Sequence, residues 1–177
     1  MAVAEKDIAS EVASRGLRLL TAVPGLATAR VEAALTGFTG EPHWKLRGKG
    51  GVQDIFFHTP LVKAPEYIAT MLAAAEAHKY PAADVGVYLQ PQHQGVAYHC
   101  EFSLPYDPSD ARETAKLKAL FSAASEQLIA EGAYFSRPYG EWADPVYNRD
   151  AQSTTALRTV KKILDPNNVL NPSKLCF

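Results

Sequence analysis

The sequence predicts an α+β fold: a single antiparallel sheet in the ferredoxin-like (split βαβ) order, with its helices on one face. An N-terminal helix precedes this unit, and a C-terminal helix with a docked tail follows it. Three observations carry the prediction. Short β-branched and aromatic runs at 52–59, 84–90 and 96–104 alternate with segments of helical apolar spacing. The order β-α-β occurs twice in succession between Val52 and Arg137. Within the strands a period of two keeps apolar side chains on one face and polar or aromatic ones on the other.

Residues 4–21 read as a helix with Ile8, Val12 and Leu19 on one stripe, ended by Val23-Pro24-Gly25. Segment 27–35 has no decisive pattern and breaks at Gly37 and Gly40. A loop rich in Gly, Lys and Arg covers 41–51, and its Trp44 is expected to pack against a neighbour. Strand 52–59 stops at Pro60, and Pro65 suits the first turn of helix 66–79, whose stripe is Ile68, Met71, Leu72 and Ala75. Strand 84–90 is closed by Pro91, and Gln92-His93-Gln94-Gly95 forms a hairpin connection to strand 96–104. After the turn Pro105-Tyr106-Asp107-Pro108, helix 110–131 places Leu117, Leu120, Ala124 and Leu128 on one face, and Gly132 caps it. Residues 133–137 form a short strand before Pro138. A basic amphipathic helix, 157–164, runs into Asp165-Pro166 and Asn171-Pro172, which stop it and force a turn-rich tail. The apolar pair Val169-Leu170 predicts that this tail docks.

A length of 177 residues suggests one domain, 1–177, able to bury a core of its own. The net charge of -1 gives no electrostatic case for nucleic acid or an anionic membrane surface. No apolar run approaches the ~18–20 residues needed to span a bilayer, so no membrane span is expected. The acidic and basic residues Glu5, Lys6, Asp7 and Glu11 rule out a signal peptide at this N-terminus. Two cysteines, Cys100 and Cys176, make no disulfide framework, and a cytoplasmic setting is the expectation.

The strand pattern locates candidate chemistry. Val96, Tyr98, Cys100, Phe102 and Leu104 alternate with Ala97, His99, Glu101 and Ser103. Ile55 and Phe57 alternate with Asp54, Phe56 and His58, and Val85, Val87 and Leu89 with Tyr88 and Gln90. The helix-free face thus collects Phe56, His58, Tyr88, Gln90, His99 and Glu101. Aromatic, histidine and amide groups suit a face that covers a ligand or another domain rather than bulk water. The cavity residues expected here are His58, Tyr88, Gln90, His99 and Glu101. His58, His99 and Glu101 lack the close ligand spacing of a metal centre, so no metal is predicted. No G-x-S-x-G, Cys-His pair or phosphate-cradling glycine loop points to nucleophilic or nucleotide chemistry.

Two stretches carry a resemblance. The run Asp165-Pro166-Asn167-Asn168-Val169-Leu170-Asn171-Pro172-Ser173-Lys174 resembles the C-terminal signature of FAD-linked oxidases of the vanillyl-alcohol oxidase / p-cresol methylhydroxylase type. Ser173 departs from it, standing where that family mostly has glycine. The segment Gly132-Ala-Tyr134-Phe135-Ser136-Arg137-Pro138-Tyr139-Gly140 is similar to the family's approach to the flavin. The resemblance implies a cap domain whose sheet lies over the isoalloxazine ring and walls the substrate cavity. It implies catalytic roles for Arg137, Tyr134 and Tyr139, and cofactor contacts from Arg137, Asn171 and Lys174. FAD would be held mainly by an FAD-binding domain or subunit outside this chain, since nothing here resembles the glycine-rich FAD-binding domain. The reaction implied is hydride transfer to flavin from an aromatic alcohol, a phenol or a hydroxy acid.

Two other classes compete. One is a stand-alone ferredoxin-like ligand-binding or dimerisation module without catalytic activity, self-associating through the open sheet face. The other is a cofactor-independent α+β barrel enzyme built from sheet-to-sheet dimers. Neither requires the Asp165-Pro to Lys174 tail, whereas a flavin cap does.

Overall fold

The computed structural model describes residues 2–20, 22, 24–37, 43–92 and 95–172. The chain divides into two compact units, Met1–Pro42 and His43–Phe177. The first contains α1 (Ala2–Ser14) and α2 (Thr28–Thr36), and none of its described residues is buried. The helix expected over 4–21 ends at Ser14. Gly16 takes the left-handed φ of 68°, and Leu17 N–H closes back on the Val12 carbonyl, a glycine-capped stop. Leu19 therefore lies beyond the helix and is exposed.

The second unit mixes helix with an antiparallel sheet, as the α+β prediction requires. Its elements are β1 (Gly51–Thr59), α3 (Ala64–Ala77), β2 (Gly86–Gln92), β3 (Ala97–Tyr106), α4 (Ala111–Ala130), α5 (Ala143–Tyr147) and α6 (Ala151–Leu164). The strands lie in the order β1-β3-β2, both pairings antiparallel. β2 begins two residues later than expected because 82–84 forms a 3-10 turn, and it continues through Pro91. An edge strand tolerates proline, since one of its hydrogen-bonding sides has no partner to serve. His93 and Gln94 of the expected hairpin lie outside the described residues. Val96, expected on the covered face, precedes β3 and is exposed.

Register fixes the two faces. Phe57 lies opposite Cys100, and Cys100 opposite Leu89; Ile55 pairs with Phe102 and Gln53 with Leu104. Ile55, Phe57, Cys100, Phe102 and Leu104 are fully buried beneath Met71 of α3 and Leu117, Leu120 and Leu128 of α4. α4 starts on a sequence-readable cap: the Asp110 carboxylate accepts the N–H groups of Arg112 and Glu113. Gly132, with φ of 97°, ends it, as its position after the apolar stripe predicted.

The expected strand 133–137 shrinks to one bridge. His58 and Tyr134 exchange both backbone hydrogen bonds (2.8 and 3.2 Å) on the free edge of β1. Beyond it Pro138 has no N–H for a ladder, and Tyr139 N–H turns back to the Arg137 carbonyl. Trp142 then closes the sheet edge. Its ring meets Phe135, Phe56 and Phe121 at 5.0–5.5 Å, and its Nε1–H donates to Ser125 Oγ at 2.9 Å. Phe56, expected on the helix-free face, is thus half covered from the edge.

α6 begins at Asp150, whose carboxylate accepts the Gln152 and Ser153 N–H groups. It packs on α5, with Thr154 buried and donating to the Tyr147 carbonyl. The tail does not dock through its apolar pair: Val169 and Leu170 are 71% and 60% exposed. It folds on itself instead. The Asp165 carboxylate accepts Val169 and Leu170 N–H (both 2.9 Å) and pairs with Lys161, whose ammonium also reaches the Leu170 carbonyl. Asn168 and Asn171 take left-handed φ of 50°, which asparagine accepts more readily than most residues, so the asparagines serve this turn.

Candidate functional site

The helix-free face carries three cross-strand rows. His58, His99 and Gln90 form one, Phe56, Glu101 and Tyr88 the next, and Asp54, Ser103 and Gly86 the third. Direct opposition brings their side chains together. The His99 ring lies 6.0 Å from His58, 5.9 Å from Phe56 and 6.2 Å from Tyr88 between centroids, and its Nε2 is 3.3 Å from Glu101 Oε2. At the edge of β1 the Tyr134 ring stands 6.3 Å from His58.

A polar network sits over the second and third rows. The 3-10 turn Trp44–Leu46 swings Lys45 across the sheet, where its ammonium donates to Asp54 Oδ2 at 2.9 Å and to Glu101 Oε1. Burial works against the charge on Lys45, yet the hydrogen bonds to Glu101 and Asp54 outweigh it and hold its pKa above the usual value. The same balance acts on Glu101: burial alone raises its pKa, but hydrogen bonds from Lys45 and His99 win and lower it. Both groups are therefore ionised at neutral pH. Asp54 Oδ1 is buried without a hydrogen-bond partner. Beside this network Lys49 bridges Asp84 and Glu113, each at 3.0 Å.

A cleft of ≈ 530 Å³ opens next to Lys45, bounded by Trp44, Val52, Asp84, Tyr88, Glu101 and Ser103. Tyr88 and Glu101 line this cleft, while His58, His99 and Gln90 occupy the adjoining row. Trp44 corrects the sequence expectation. Rather than packing away, it is 67% exposed; among the described residues the His43 ring and the Lys45 ammonium lie near its own ring. Lys45, Asp54 and Ser103 were not singled out from sequence. Asp54 and Ser103 share the parity of the face already identified, and that signal was available. Lys45 offered none, because its partner Glu101 is 56 positions away.

Arg137 follows the Tyr134 bridge by three residues and is exposed, as are Tyr134 and Tyr139. Among the described residues no carboxylate pairs with Arg137; Glu141, its nearest acidic neighbour in sequence, accepts the Ser122 hydroxyl instead. Asn171 lies in the self-closed tail beyond α6, and Lys174 lies outside the described residues. Cys100, on the covered face, has its thiol pushed up to about 12 by burial, so it is a packing residue at neutral pH. Among the described residues no group of three His, Cys, Asp or Glu side chains is placed to hold a metal ion, and no helix is long and apolar enough to cross a membrane.

Residues 143–175 match the family model described as FAD linked oxidases, C-terminal domain. The matched stretch contains α5, α6 and the tail with Asn171; Arg137, Tyr134 and the sheet precede it. No curated protein and no solved structure matches the chain. The match supports a relation to FAD-linked oxidases at the level of that family.

Proposed function

We propose that this chain supplies the substrate-facing C-terminal portion of an FAD-linked oxidase of the vanillyl-alcohol oxidase type, working in the cytoplasm. The observation that carries this reading is the family match over 143–175, which coincides with the Asp165-Pro to Asn171-Pro tail. The ferredoxin-like order fits the sheet order together with the Tyr134 bridge on β1, which stands where a fourth strand would pair. FAD, held mainly by an FAD-binding domain or subunit, supplies a hydride acceptor.

The residues present fit the anionic edge of such a cofactor rather than its phosphates. Arg137 offers an exposed guanidinium without an acid partner among the described residues, between two exposed phenols, Tyr134 and Tyr139. That donor set stabilises negative charge where it develops, and it orients a phenolic or hydroxy-acid oxygen. Asn171, with Lys174, extends the cofactor contact from the tail. His58, Tyr88, Gln90, His99 and Glu101 form the cavity wall, and Phe56 with Trp142 closes its edge against water.

Co-expression with the FAD-binding domain of an FAD-linked oxidase tests this reading. The complex is expected to retain stoichiometric flavin, and the chain alone to be colourless, because Arg137 and the tail make too few contacts to hold a dinucleotide. Arg137→Lys keeps the charge but loses the planar fork, and flavin reduction in the complex should slow by roughly 10²-fold. Wild-type reduction rates in that variant would remove the catalytic role of Arg137. A chain that binds flavin by itself would overturn the division of labour.

A further inference from the structure

The cleft beside Trp44 has a charge balance that hydride transfer to flavin does not require. Lys45 shares one ammonium between Asp54 and Glu101, and Lys49 shares one between Asp84 and Glu113. Of the charged side chains lining the cleft, one ammonium, Lys45, therefore stands against two carboxylates, Glu101 and Asp84, and Asp54 Oδ1 beside Lys45 has no donor. An anion entering the cleft meets net repulsion at Glu101 and Asp84, whereas a cation is attracted. The cleft's volume of ≈ 530 Å³ falls within the range of about 300–1,000 Å³ common for small-molecule sites.

The walls add a second requirement. Trp44 and Tyr88 present largely exposed rings, 67% and 51% exposed, and Val52, Val87 and Pro105 supply aliphatic surface. Ring faces attract cations through their quadrupole, most strongly in tryptophan. The cleft already shows this pairing: Lys45 Nζ lies 5.8 Å from the Trp44 ring centroid while bound to carboxylates. We propose that this cleft binds a small organic cation with an aromatic body, of the arylalkylammonium class. The ammonium sits toward Glu101 and Asp84, and the aryl group lies against Trp44 and Tyr88. The cleft shares Tyr88 and Glu101 with the cavity wall of the flavin reading, but the proposal stands on the charge and exposed rings of the cleft and its test needs no flavin.

Titration of the isotope-labelled chain with phenethylammonium at neutral pH, followed by NMR, tests it. Phenethyl alcohol and phenylacetate serve as the neutral and anionic controls. Saturable shifts are expected at the Trp44 indole N–H and at the Gly86 and Ser103 amides. The alcohol should bind about tenfold more weakly, and phenylacetate should not saturate. Trp44→Ala, an exposed change that leaves the fold intact, should weaken ammonium binding about tenfold. Glu101→Gln should do the same, and Tyr88→Ser is the replacement should that variant fail to fold. Equal affinity for the alcohol, a preference for phenylacetate, or the absence of saturable shifts would each overturn the proposal.

Discussion

The two faces of the same three strands are built on different physics. On the covered face Ile55, Phe57, Phe102 and Leu104 lose all contact with water beneath α3 and α4, and that burial stabilises the unit. On the open face, one residue along each strand, His58, Glu101 and Tyr88 stand half-buried or exposed, and the strongest contacts are ionic. Lys45 is the hinge of that second face, neutralising carboxylates that the strands themselves bring together. The contrast shows how one pleated sheet separates stability from recognition: alternate residues belong to a packed interior and to a polar surface. The separation is incomplete at the β1 edge, where Trp142 touches Phe135 on one side and Phe56 on the other.

The largest expected effect breaks the covered face. Phe102→Ala removes a fully buried ring between Phe57 and α4 and should cost about 3–5 kcal/mol, measured by urea unfolding. A loss under ~1 kcal/mol would mean that the helices do not seal this face.

Glu101→Gln acts on the open face and should cost about 1.5–3 kcal/mol at neutral pH, because Lys45 then keeps Asp54 as its only carboxylate. The pH dependence has a definite sign. The Glu101 pKa is lowered in the folded chain, so its contribution is fully present above the unfolded value of about 4.3 and is lost as pH falls through the folded value. The gap between wild type and variant should therefore begin to narrow below about pH 4.3 and close once the pH lies below the lowered folded value. A gap that persists undiminished in acid would assign the effect to shape rather than charge.

Much of this contrast is legible in the sequence. Period two separated Cys100 and Phe102 from His99 and Glu101, and apolar spacing with Asp110 and Gly132 bounded α4 nearly to the residue. What escaped was long-range or locally overridden. Lys45 meets Glu101 across 56 positions, and a loop lysine carries no mark of its partner. The fourth strand read from 133–137 fails after Tyr134, because pairing depends on a neighbour that Pro138 and Trp142 deny it. The tail's prolines and asparagines were visible, but Asp165 satisfies the turn internally and leaves Val169 and Leu170 bare.

The smallest expected change in stability makes the sharpest test of the comparison. Tyr88 sits on edge strand β2 opposite Glu101, half its surface already in water, with the His99 ring 6.2 Å away as its nearest aromatic contact. Replacing it with serine removes little buried area, so Tyr88→Ser should shift unfolding by no more than about 0.5 kcal/mol. The same substitution strips one aromatic wall from the cleft and should weaken phenethylammonium binding several-fold. Leu89 follows Tyr88 on the covered face, opposite Cys100 and outside the cleft lining, so Leu89→Ser provides the matched control: it loosens β2 packing on the core but should leave the ring contribution to binding intact. A Tyr88→Ser variant that unfolds readily would place this side chain in a second core, and the open face would then be structural. Unchanged stability with weakened binding is the outcome that a recognition surface requires.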